Sequence, residues 1–462
     1  IPRPSKKEEK VIEYLINFAK NNSLQYFQDE IGNVIITKPA TKGMENSPIT
    51  ILQSHIDMVC EKNSDVDFDF DNDPIQTFVE DGWVKAKGTT LGADCGIGVA
   101  ITMAILTSKD IAHPAIEALF TVDEETGMTG ANNLTAGVLK GKYLINIDSE
   151  DEGEIFVGCA GGVDTLASFS VKNEKATSFF TPLRLQIKGL QGGHSGDDIN
   201  KGFANANRLL VRFFFEQWEN FKFEISKFDG GNLRNAIPRE AYCDFAVSSS
   251  DVEVLAKAFK EYTDTVKAEN STKEPTMELT IEPLSKSFDE ILDSKLAHDI
   301  ICSMVVIPNG VVAMSQDIAN FVETSTNLAS VKHIDDKIVV VTSQRSSVES
   351  RKNSLAQVLN QLFTRYGAEV EHSDGYPGWT PIPSSELLNR FCESYKRLFG
   401  KEIAVKAVHA GLECGLILEK YPNLEMVSVG PTIRRVHSPD EMVDIKTVDM
   451  FWELMVDTLK TL

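Results

Sequence analysis

The sequence is short of cationic residues and has no long apolar segment. Its 462 residues include 46 lysines and arginines against 68 aspartates and glutamates, a formal net charge of −22. So acidic a surface would repel phosphate backbones and anionic lipids, which argues against nucleic-acid and membrane partners. The longest apolar run, residues 95–106, is too short for a bilayer span of about 20 residues.

Features of secreted proteins are also missing. Seven cysteines, an odd number without a CxxC pair, do not form a disulfide framework. The first residues, 1–7, lack the apolar core of a secretory signal. We therefore expect a protein of the reducing cytoplasm. A hydrophobic content of 42% and a charged content of 25% are ordinary for globular proteins, and the length predicts two or three domains.

Common catalytic motifs are absent: the chain has no HExxH, no GxSxG and no complete P-loop. A Gly-Ile-Gly at 96–98 precedes a predicted helix, but Ile101 replaces the third glycine of the dinucleotide fingerprint. A nicotinamide-dependent oxidoreductase is therefore a weak alternative. Cys95 and Cys414 could be nucleophiles, although free cysteines more often serve as small buried hydrophobes.

In the outer parts of the chain, short apolar runs alternate with helical patterns. The predicted strands are 49–52, 115–120, 143–147 and 426–429, and the predicted helices are 7–20, 97–106 and 387–399. Such alternation is typical of an α/β domain with a mainly parallel, mixed sheet flanked by helices. We predict this domain for residues 1–180 and 375–462.

A different pattern begins near Thr181. Its predicted elements are a strand of alternating apolar residues at 183–187, a helix at 204–215, and strands at 241–247 and 276–281. It continues to Asp374, where the Gly-Tyr-Pro-Gly of residues 375–378 marks a boundary. We predict that residues 181–374 form an inserted α+β domain that splits the first domain.

Five residues of ligand type lie next to predicted strands or helices. They are His55, Glu125, Asp148 and His437, each just beyond a strand, and Asp94, in a loop just before a helix. Because the binding crevice of an open α/β sheet lies outside the carboxyl ends of its strands, we expect these side chains to converge. Two imidazoles and three carboxylates suit zinc, manganese or cobalt.

Five protein ligands exceed the three that a catalytic zinc usually takes, and they suit two ions that share a carboxylate. Two ions about 3.5–4 Å apart would lower the pKa of a water held between them. Glu124, next to Glu125, could act as the general base on that water. Asp57, two residues after His55, could accept the remaining ring N–H of that histidine.

Each candidate taken alone has a simpler explanation. Asp94 could cap the following helix, and His437 could be a turn residue. Glu124 and Glu125 could be solvated charge at the end of a strand. The expected convergence of five ligands at one sheet edge is what favours a metal site.

A series of motifs runs in order along nearly the whole chain. They are SHIDMV at 54–59, LGADCGIG at 91–98, TVDEETG at 121–127, NIDSE at 146–150, GLQGGHSG at 189–196, RNAIPRE at 234–240, VHAGLECG at 408–415, GPTI at 430–433 and HSP at 437–439. Together they resemble the di-zinc aminopeptidase/acylase superfamily. Within it they are most similar to the cytosolic aminoacyl-histidine dipeptidase branch (peptidase D, bacterial carnosinase).

The resemblance implies roles for the candidate residues. The implied metal ligands are His55, Asp94, Glu125, Asp148 and His437. Asp94 would be the bridging carboxylate, Glu124 the general base and Asp57 the residue that supports the first histidine. The cofactor would be two divalent ions per chain, with zinc expected first and cobalt or manganese as alternatives.

The resemblance also implies that the inserted domain is a lid and that the chain forms a homodimer. On this lid, His194 would polarise the scissile carbonyl, and Asn235 and Arg345 would hold the C-terminal end of a small peptide substrate. Gly411 and Glu413 would border the substrate. Whether the lid histidine acts within one chain or across a dimer is left open.

The expected activity is hydrolysis of dipeptides by a bridging hydroxide, preferentially Xaa-His and including β-alanyl-histidine. Several alternatives stay open: a tripeptidase, a broader dipeptidase, an N-acyl amino-acid deacylase, or a non-catalytic metal- or peptide-binding protein. Arg435 stands where close relatives are expected to have a smaller residue, so the substrate preference in particular is open.

Overall fold

The computed structural model describes residues 1–382 and 384–462. The chain forms two compact units. The first consists of Ile1–Cys159, Trp379–Val408 and Leu412–Leu462, and the second of Ala160–Gly378 and His409–Gly411. Among the described residues, no helix combines the length and the apolar character that a bilayer crossing requires.

Among the described residues, the first unit contains two sheets. Its strands, numbered along the whole chain, are β1 (Gln25–Gln28), β2 (Val34–Lys38), β3 (Thr50–His55), β4 (Thr77–Glu80), β5 (Trp83–Ala86), β6 (Ile116–Thr121), β7 (Tyr143–Asn146), β8 (Glu154–Cys159), β22 (Ala404–Val408), β23 (Glu425–Ser428), β24 (Ile433–Arg434) and β25 (Met442–Asp444). The larger sheet has the order β1-β2-β6-β3-β7-β23-β8-β22, and the smaller one β24-β25-β5-β4.

The centre of the larger sheet is parallel. β3 pairs in parallel with β6 and β7, and β7 with β23, while β1 and β2 add antiparallel pairs at one edge. β3, β6 and β7 are buried along their whole length, as expected for parallel strands covered on both faces. The mixed α/β class predicted from the sequence is confirmed.

Among the described residues, the first unit contains seven helices, of which the first, second and fifth coincide with the predicted helices 7–20, 97–106 and 387–399. They are α1 (Glu9–Asn21), α2 (Ala93–Thr107), α3 (Glu124–Gly127), α4 (Thr129–Asn132), α9 (Glu386–Phe399), α10 (Glu413–Lys420) and α11 (Ile445–Thr461). In α1 the buried residues Val11, Leu15 and Ala19 recur every four positions, so they form one apolar stripe.

The second unit is built on an antiparallel sheet. Its strands are β9 (Gly161–Ser170), β10 (Asn173–Lys175), β11 (Phe180–Lys188), β12 (Gly193–His194), β13 (Glu224–Gly230), β14 (Ala236–Ile237), β15 (Ala241–Ser248), β16 (Glu278–Pro283), β17 (Glu290–Leu292), β18 (Gly310–Met314), β19 (Val322–Ile334), β20 (Lys337–Ser346) and β21 (Glu369–His372), and its helices are α5 (Ala206–Gln217), α6 (Val252–Asn270), α7 (Ser294–Val306) and α8 (Glu349–Arg365). The main order is β16-β11-β15-β13-β19-β20-β9-β21.

One face of this sheet packs against helices. In β11, Leu183, Leu185 and Ile187 are buried and alternate with more exposed residues, as the sequence pattern predicts. The second unit begins at Ala160 rather than near Thr181, because β9 pairs with β20 and β21 of this sheet.

Candidate metal centre

The carboxyl ends of three neighbouring strands carry most of the candidate ligands. His55 is the last residue of β3, and the parallel register sets it opposite Thr121, the last residue of β6. Glu125 lies in α3, just after β6, and Asp148 follows β7. The strand order β6-β3-β7 therefore brings these residues to one edge of the sheet.

The Asp94 carboxylate lies between two histidines. Its Oδ1 is 3.1 Å from Nε2 of His55, and its Oδ2 is 3.2 Å from Nε2 of His437. A second carboxylate adjoins each imidazole, with Asp148 Oδ1 3.2 Å from His55 Nε2 and Glu125 Oε2 2.9 Å from His437 Nε2. The structure thus brings all five predicted ligands together as two pairs joined by one carboxylate.

Backbone geometry places Asp94 at this central point. Asp94 and Cys95 depart from helical dihedral angles, with φ −81° and ψ 115° at Asp94, so regular helix begins only after Cys95. This agrees with the expectation that Asp94 lies just before the helix. His437 differs from expectation: it does not follow the strand at 426–429 but lies on the turn between β24 and β25, with φ +60°.

Asp57 connects several parts of the cluster. Its Oδ1 is 3.3 Å from Nδ1 of His55 and accepts the backbone N–H of Glu124 at 3.0 Å. Its Oδ2 accepts the N–H of Glu125 at 3.1 Å and the hydroxyl of Ser5 at 2.7 Å. A single buried carboxylate therefore lies against one histidine and accepts two backbone N–H groups of the turn that carries two acidic residues.

The cluster has strongly shifted proton affinities. Burial lowers the pKa of His55, but Asp148 and the other carboxylates around it raise that pKa well above 6.5. Hydrogen bonds to Asp94 and Glu125 raise the pKa of His437 to about 10. Burial opposes ionisation of Asp94, yet hydrogen bonds from the two histidines hold its pKa well below 3.8.

The donor set fits divalent metal ions. One ligand atom each from His55, Asp94 and Glu125 lie within 4.8 Å of one another. Oε1 of Glu125 is buried without a hydrogen-bond partner among the described residues, which is costly unless another group satisfies it. Imidazole nitrogens and carboxylate oxygens at such spacing can hold two ions that share the Asp94 carboxylate.

Glu124 lies beside this donor set without belonging to it. Among the described residues, its carboxylate makes no hydrogen bond or ion pair. Burial raises its pKa well above 4.5, and the nearby carboxylates of Asp148, Glu413 and Glu125 add to the effect. A carboxyl group with raised proton affinity next to a metal site can accept and return a proton.

The two cysteines considered as nucleophiles lie in surroundings that disfavour the reactive thiolate form. Cys95 is buried, and its thiol donates to the carbonyl oxygen of Ile147 at 2.7 Å. Burial raises the pKa of both Cys95 and Cys414 well above 9.0. Because the thiolate is the reactive form, these surroundings disfavour nucleophilic catalysis by either residue.

Glu413 lies in a buried polar network behind the cluster. Its Oε2 accepts from Gln53 Nε2 at 2.6 Å and from Thr121 Oγ1 at 2.8 Å. Gln53 in turn accepts from Asn146 at 2.6 Å, and Asn146 accepts from Ser428 at 2.5 Å. Burial raises the pKa of Glu413 to about 7. The network therefore cross-links the ends of β6, β3 and β7, which the candidate ligands Glu125, His55 and Asp148 follow or end, to the end of β23.

Within the second unit, the structure brings together the other predicted residues. His194 Nε2 lies 3.5 Å from Arg345 Nη2, and Arg345 Nη1 donates to the Tyr376 hydroxyl at 3.1 Å. Arg345 and Asn235 line the same cavity of about 590 Å³. Arg345 is 7% exposed, and its Nε is buried without a hydrogen-bond partner among the described residues. The guanidinium thus retains capacity to bind an anionic group.

Gly411 lies against the same tyrosine. A Cβ at this position would stand 2.8 Å from Cε2 of Tyr376, closer than real Cβ contacts allow. The close approach of backbone and ring therefore requires glycine.

His409 is a buried residue for which the sequence predicts no role. Its Nε2 lies 2.7 Å from the Ser325 hydroxyl, and its ring meets Phe321 edge to face. Burial lowers its pKa to about 4, and the charge of Arg345 adds to this. The local sequence around His409 gives no signal for such burial, because its contacts come from Ser325 in β19 and from Phe321 just before that strand.

We expect His409 to make the protein sensitive to acid. Its unfolded pKa is near 6.5 and its folded pKa about 4, so its contribution is complete above pH 6.5 and is lost as pH falls towards 4. The difference corresponds to about 3 kcal/mol. Urea unfolding midpoints should therefore fall less steeply from pH 6.5 to 4 in His409→Gln than in the unaltered protein. Equal pH dependence in both would contradict this assignment.

Comparison with known proteins gives consistent matches. Residues 51–461 match Peptidase family M20/M25/M40. The chain is 42% identical over 460 residues to the cytosol non-specific dipeptidase of Escherichia coli K12, which covers 100% of this chain and 95% of that relative.

Solved structures of related peptidases also match this chain. The crystal structure of aminoacylhistidine dipeptidase from Vibrio alginolyticus has a TM-score of 0.96 and 43% identity, covering 100% of this chain and 94% of that one. Aminopeptidase PepT from Bacillus cereus, at 16% identity and a TM-score of 0.57 with the same coverage, shares the fold. These matches confirm the resemblance drawn from the motifs. The chain belongs to peptidase family M20/M25/M40.

Proposed function

We propose that the protein is a metal-dependent dipeptidase. The observation that carries the proposal is the Asp94 carboxylate between two histidine–carboxylate pairs, with Glu124 beside them. The names of two relatives that are 42% and 43% identical, a non-specific dipeptidase and an aminoacylhistidine dipeptidase, support the same activity.

His55 and Asp148 would hold one ion and His437 and Glu125 the other, with Asp94 shared. Two bound divalent ions would polarise the scissile carbonyl and lower the pKa of a water molecule, the chemistry that paired ions supply in hydrolases. Zinc suits the mixture of imidazole and carboxylate, and cobalt or manganese could replace it.

The residues around the ligands would perform the proton transfers. Glu124 takes a proton from the attacking water and delivers it to the leaving amine. The bond from the carbonyl carbon to water oxygen forms, the C–N bond breaks, and the products are two amino acids. Asp57 fixes the ring orientation of His55 and the position of the Glu124 backbone.

The inserted domain, predicted at 181–374, would act as the lid. His194 would donate a hydrogen bond to the carbonyl oxygen as negative charge develops there. Arg345 and Asn235 would bind the free carboxylate of the substrate, and their shared cavity supports this role. Gly411 and Glu413 would border the substrate. For Glu413, full burial of this residue and of its partners Gln53 and Thr121 favours support of the site over direct contact with substrate.

For the substrate, we propose a preference for Xaa-His dipeptides, including β-alanyl-histidine. The motifs and the relative named aminoacylhistidine dipeptidase support it. The name of the Escherichia coli relative favours a broader dipeptidase instead. We further propose a homodimer in the cytoplasm, as the resemblance implies.

A substrate panel tests this function. Metal-loaded protein should hydrolyse Xaa-His faster than Xaa-Xaa dipeptides, and tripeptides and N-acyl amino acids more slowly than either. Equal rates on all dipeptides would contradict the preference for histidine and would indicate a broader dipeptidase. Faster hydrolysis of tripeptides or acyl amino acids would overturn the dipeptidase assignment. Two bound ions without hydrolysis of any substrate would favour a binding protein.

Arg345→Gln should lower kcat/KM for dipeptides by about 10–100-fold, because a charge-assisted hydrogen bond contributes about 1.5–3 kcal/mol. Dipeptide amides, which lack the carboxylate, should be affected little. Arg234→Gln is a matched control, since this arginine lines the same cavity but its side chain is 71% exposed. An equal loss on dipeptides and their amides would contradict carboxylate binding by Arg345.

A further inference from the structure

Glu441 contacts the loop that carries Asp94. Its carboxylate accepts hydrogen bonds from four consecutive backbone N–H groups, those of Leu91, Gly92, Ala93 and Asp94, at 2.8, 2.8, 2.7 and 3.2 Å. The side chain is almost fully buried, at 2% exposure. One carboxylate thus binds the backbone of all four residues of the segment 91–94, which ends at the candidate ligand Asp94.

The same residue belongs to the hairpin that carries His437. It lies just before β25, whose pairing with β24 closes the turn on which His437 stands. Ile433 and Val443 of this hairpin form a small apolar cluster with Ala93. The carboxylate of Glu441 therefore connects two ligand-bearing segments that are about 350 residues apart in sequence.

Arg3 holds the same loop from another side. Its Nη2 donates to the carbonyl oxygen of Gly92 at 2.5 Å. Gly92 has φ +71°, and a Cβ there would stand 2.8 Å from Sδ of Met58 and 2.9 Å from Nη1 of Arg3. The loop thus has a conformation that requires glycine, with its N–H groups bound by Glu441 and a carbonyl bound by Arg3.

We propose that Glu441 is a positioning residue for the metal centre, which sets the Asp94 carboxylate against His437. This inference rests on the proposed metal-binding function. A flexible loop at 91–94 would leave Asp94 free to move relative to both histidines. Mutation of a residue that positions a metal ligand through hydrogen bonds commonly lowers metal affinity by about 10–100-fold.

The test is metal binding by Glu441→Gln. The amide keeps the shape of the side chain but has one acceptor oxygen, and its NH₂ would face backbone N–H groups. Metal-stripped protein is titrated with zinc and, separately, with cobalt, whose visible spectrum reports ligand geometry. Asp440→Asn is the matched control. Asp440 is the residue before Glu441, its side chain is 72% exposed, and the substitution removes the same charge.

We expect Glu441→Gln to bind both metals about 10–100-fold more weakly, with an altered cobalt spectrum, while Asp440→Asn matches the unaltered protein. Glu441→Asp, which keeps the charge on a shorter side chain, should restore part of the affinity. Wild-type affinity and spectrum in Glu441→Gln would overturn the inference. Failure of the unaltered protein to bind metal would instead reject the proposed function.

Hydrogen exchange keeps the inference testable if Glu441→Gln does not fold. In the unaltered, metal-free protein, the amides of residues 91–94 should exchange as slowly as those of the neighbouring strands. Exchange of these four amides at the rate of exposed turns would overturn the positioning role.

Discussion

Glu124→Gln should lower kcat for dipeptide hydrolysis by about 10²–10⁴-fold, the range that general acid–base catalysis contributes. Glutamine has nearly the same shape but cannot accept the proton of the attacking water. Since the Glu124 carboxylate has no hydrogen-bond partner among the described residues, the substitution should leave the surrounding structure intact. Activity measured together with metal content tests this.

The neighbouring residue supplies the control. Glu125→Gln alters a predicted ligand, whose Oε2 lies 2.9 Å from Nε2 of His437, so it should lose metal as well as activity. Glu124→Gln should retain two ions per chain. Loss of metal in Glu124→Gln, or turnover within tenfold of the unaltered protein, would contradict its assignment as the base.

Asp94→Asn should weaken the binding of both ions, because this carboxylate lies between His55 and His437. The neutral amide presents only one oxygen, whereas the structure uses both carboxylate oxygens. Residues that only support a metal ligand change metal affinity by up to about 100-fold. Because Asp94 is itself a predicted ligand, we expect its substitution to lower the affinity by at least that factor.

Thermal unfolding offers a second measurement of the same prediction. Zinc at 100 times its dissociation constant stabilises a protein by about 2.7 kcal/mol, so it should raise the unfolding temperature of the unaltered protein. Asp94→Asn should show little of this increase. Two ions bound at unaltered affinity in Asp94→Asn would contradict the shared role of the carboxylate.

Local sequence patterns were sufficient to predict strands β3, β6, β7 and β23 of the larger sheet, and to place four of the five candidate ligands next to strands or helices. Buried parallel strands read as continuous apolar runs, and the residue after each run lies at the sheet edge, as for His55 and Asp148. Asp94 was placed by a different signal, since it lies in a loop just before a predicted helix.

Features that depend on long-range pairing were not predictable. The turn that carries His437 depends on pairing of β25 with β5, which lies far upstream in sequence. β9 joins the second unit because of its register with β20. The hydrogen bonds of Glu441 to residues 91–94 have no sequence signal, since an acidic residue near a turn is usually solvated.

Restoration of activity by metal tests the central claim most directly. Metal-stripped protein should not hydrolyse β-alanyl-histidine, and hydrolysis should return with added zinc, cobalt or manganese and saturate as two ions bind per chain. Full hydrolysis by protein with negligible metal content, or saturation of two sites without hydrolysis of any dipeptide, would contradict a two-metal dipeptidase.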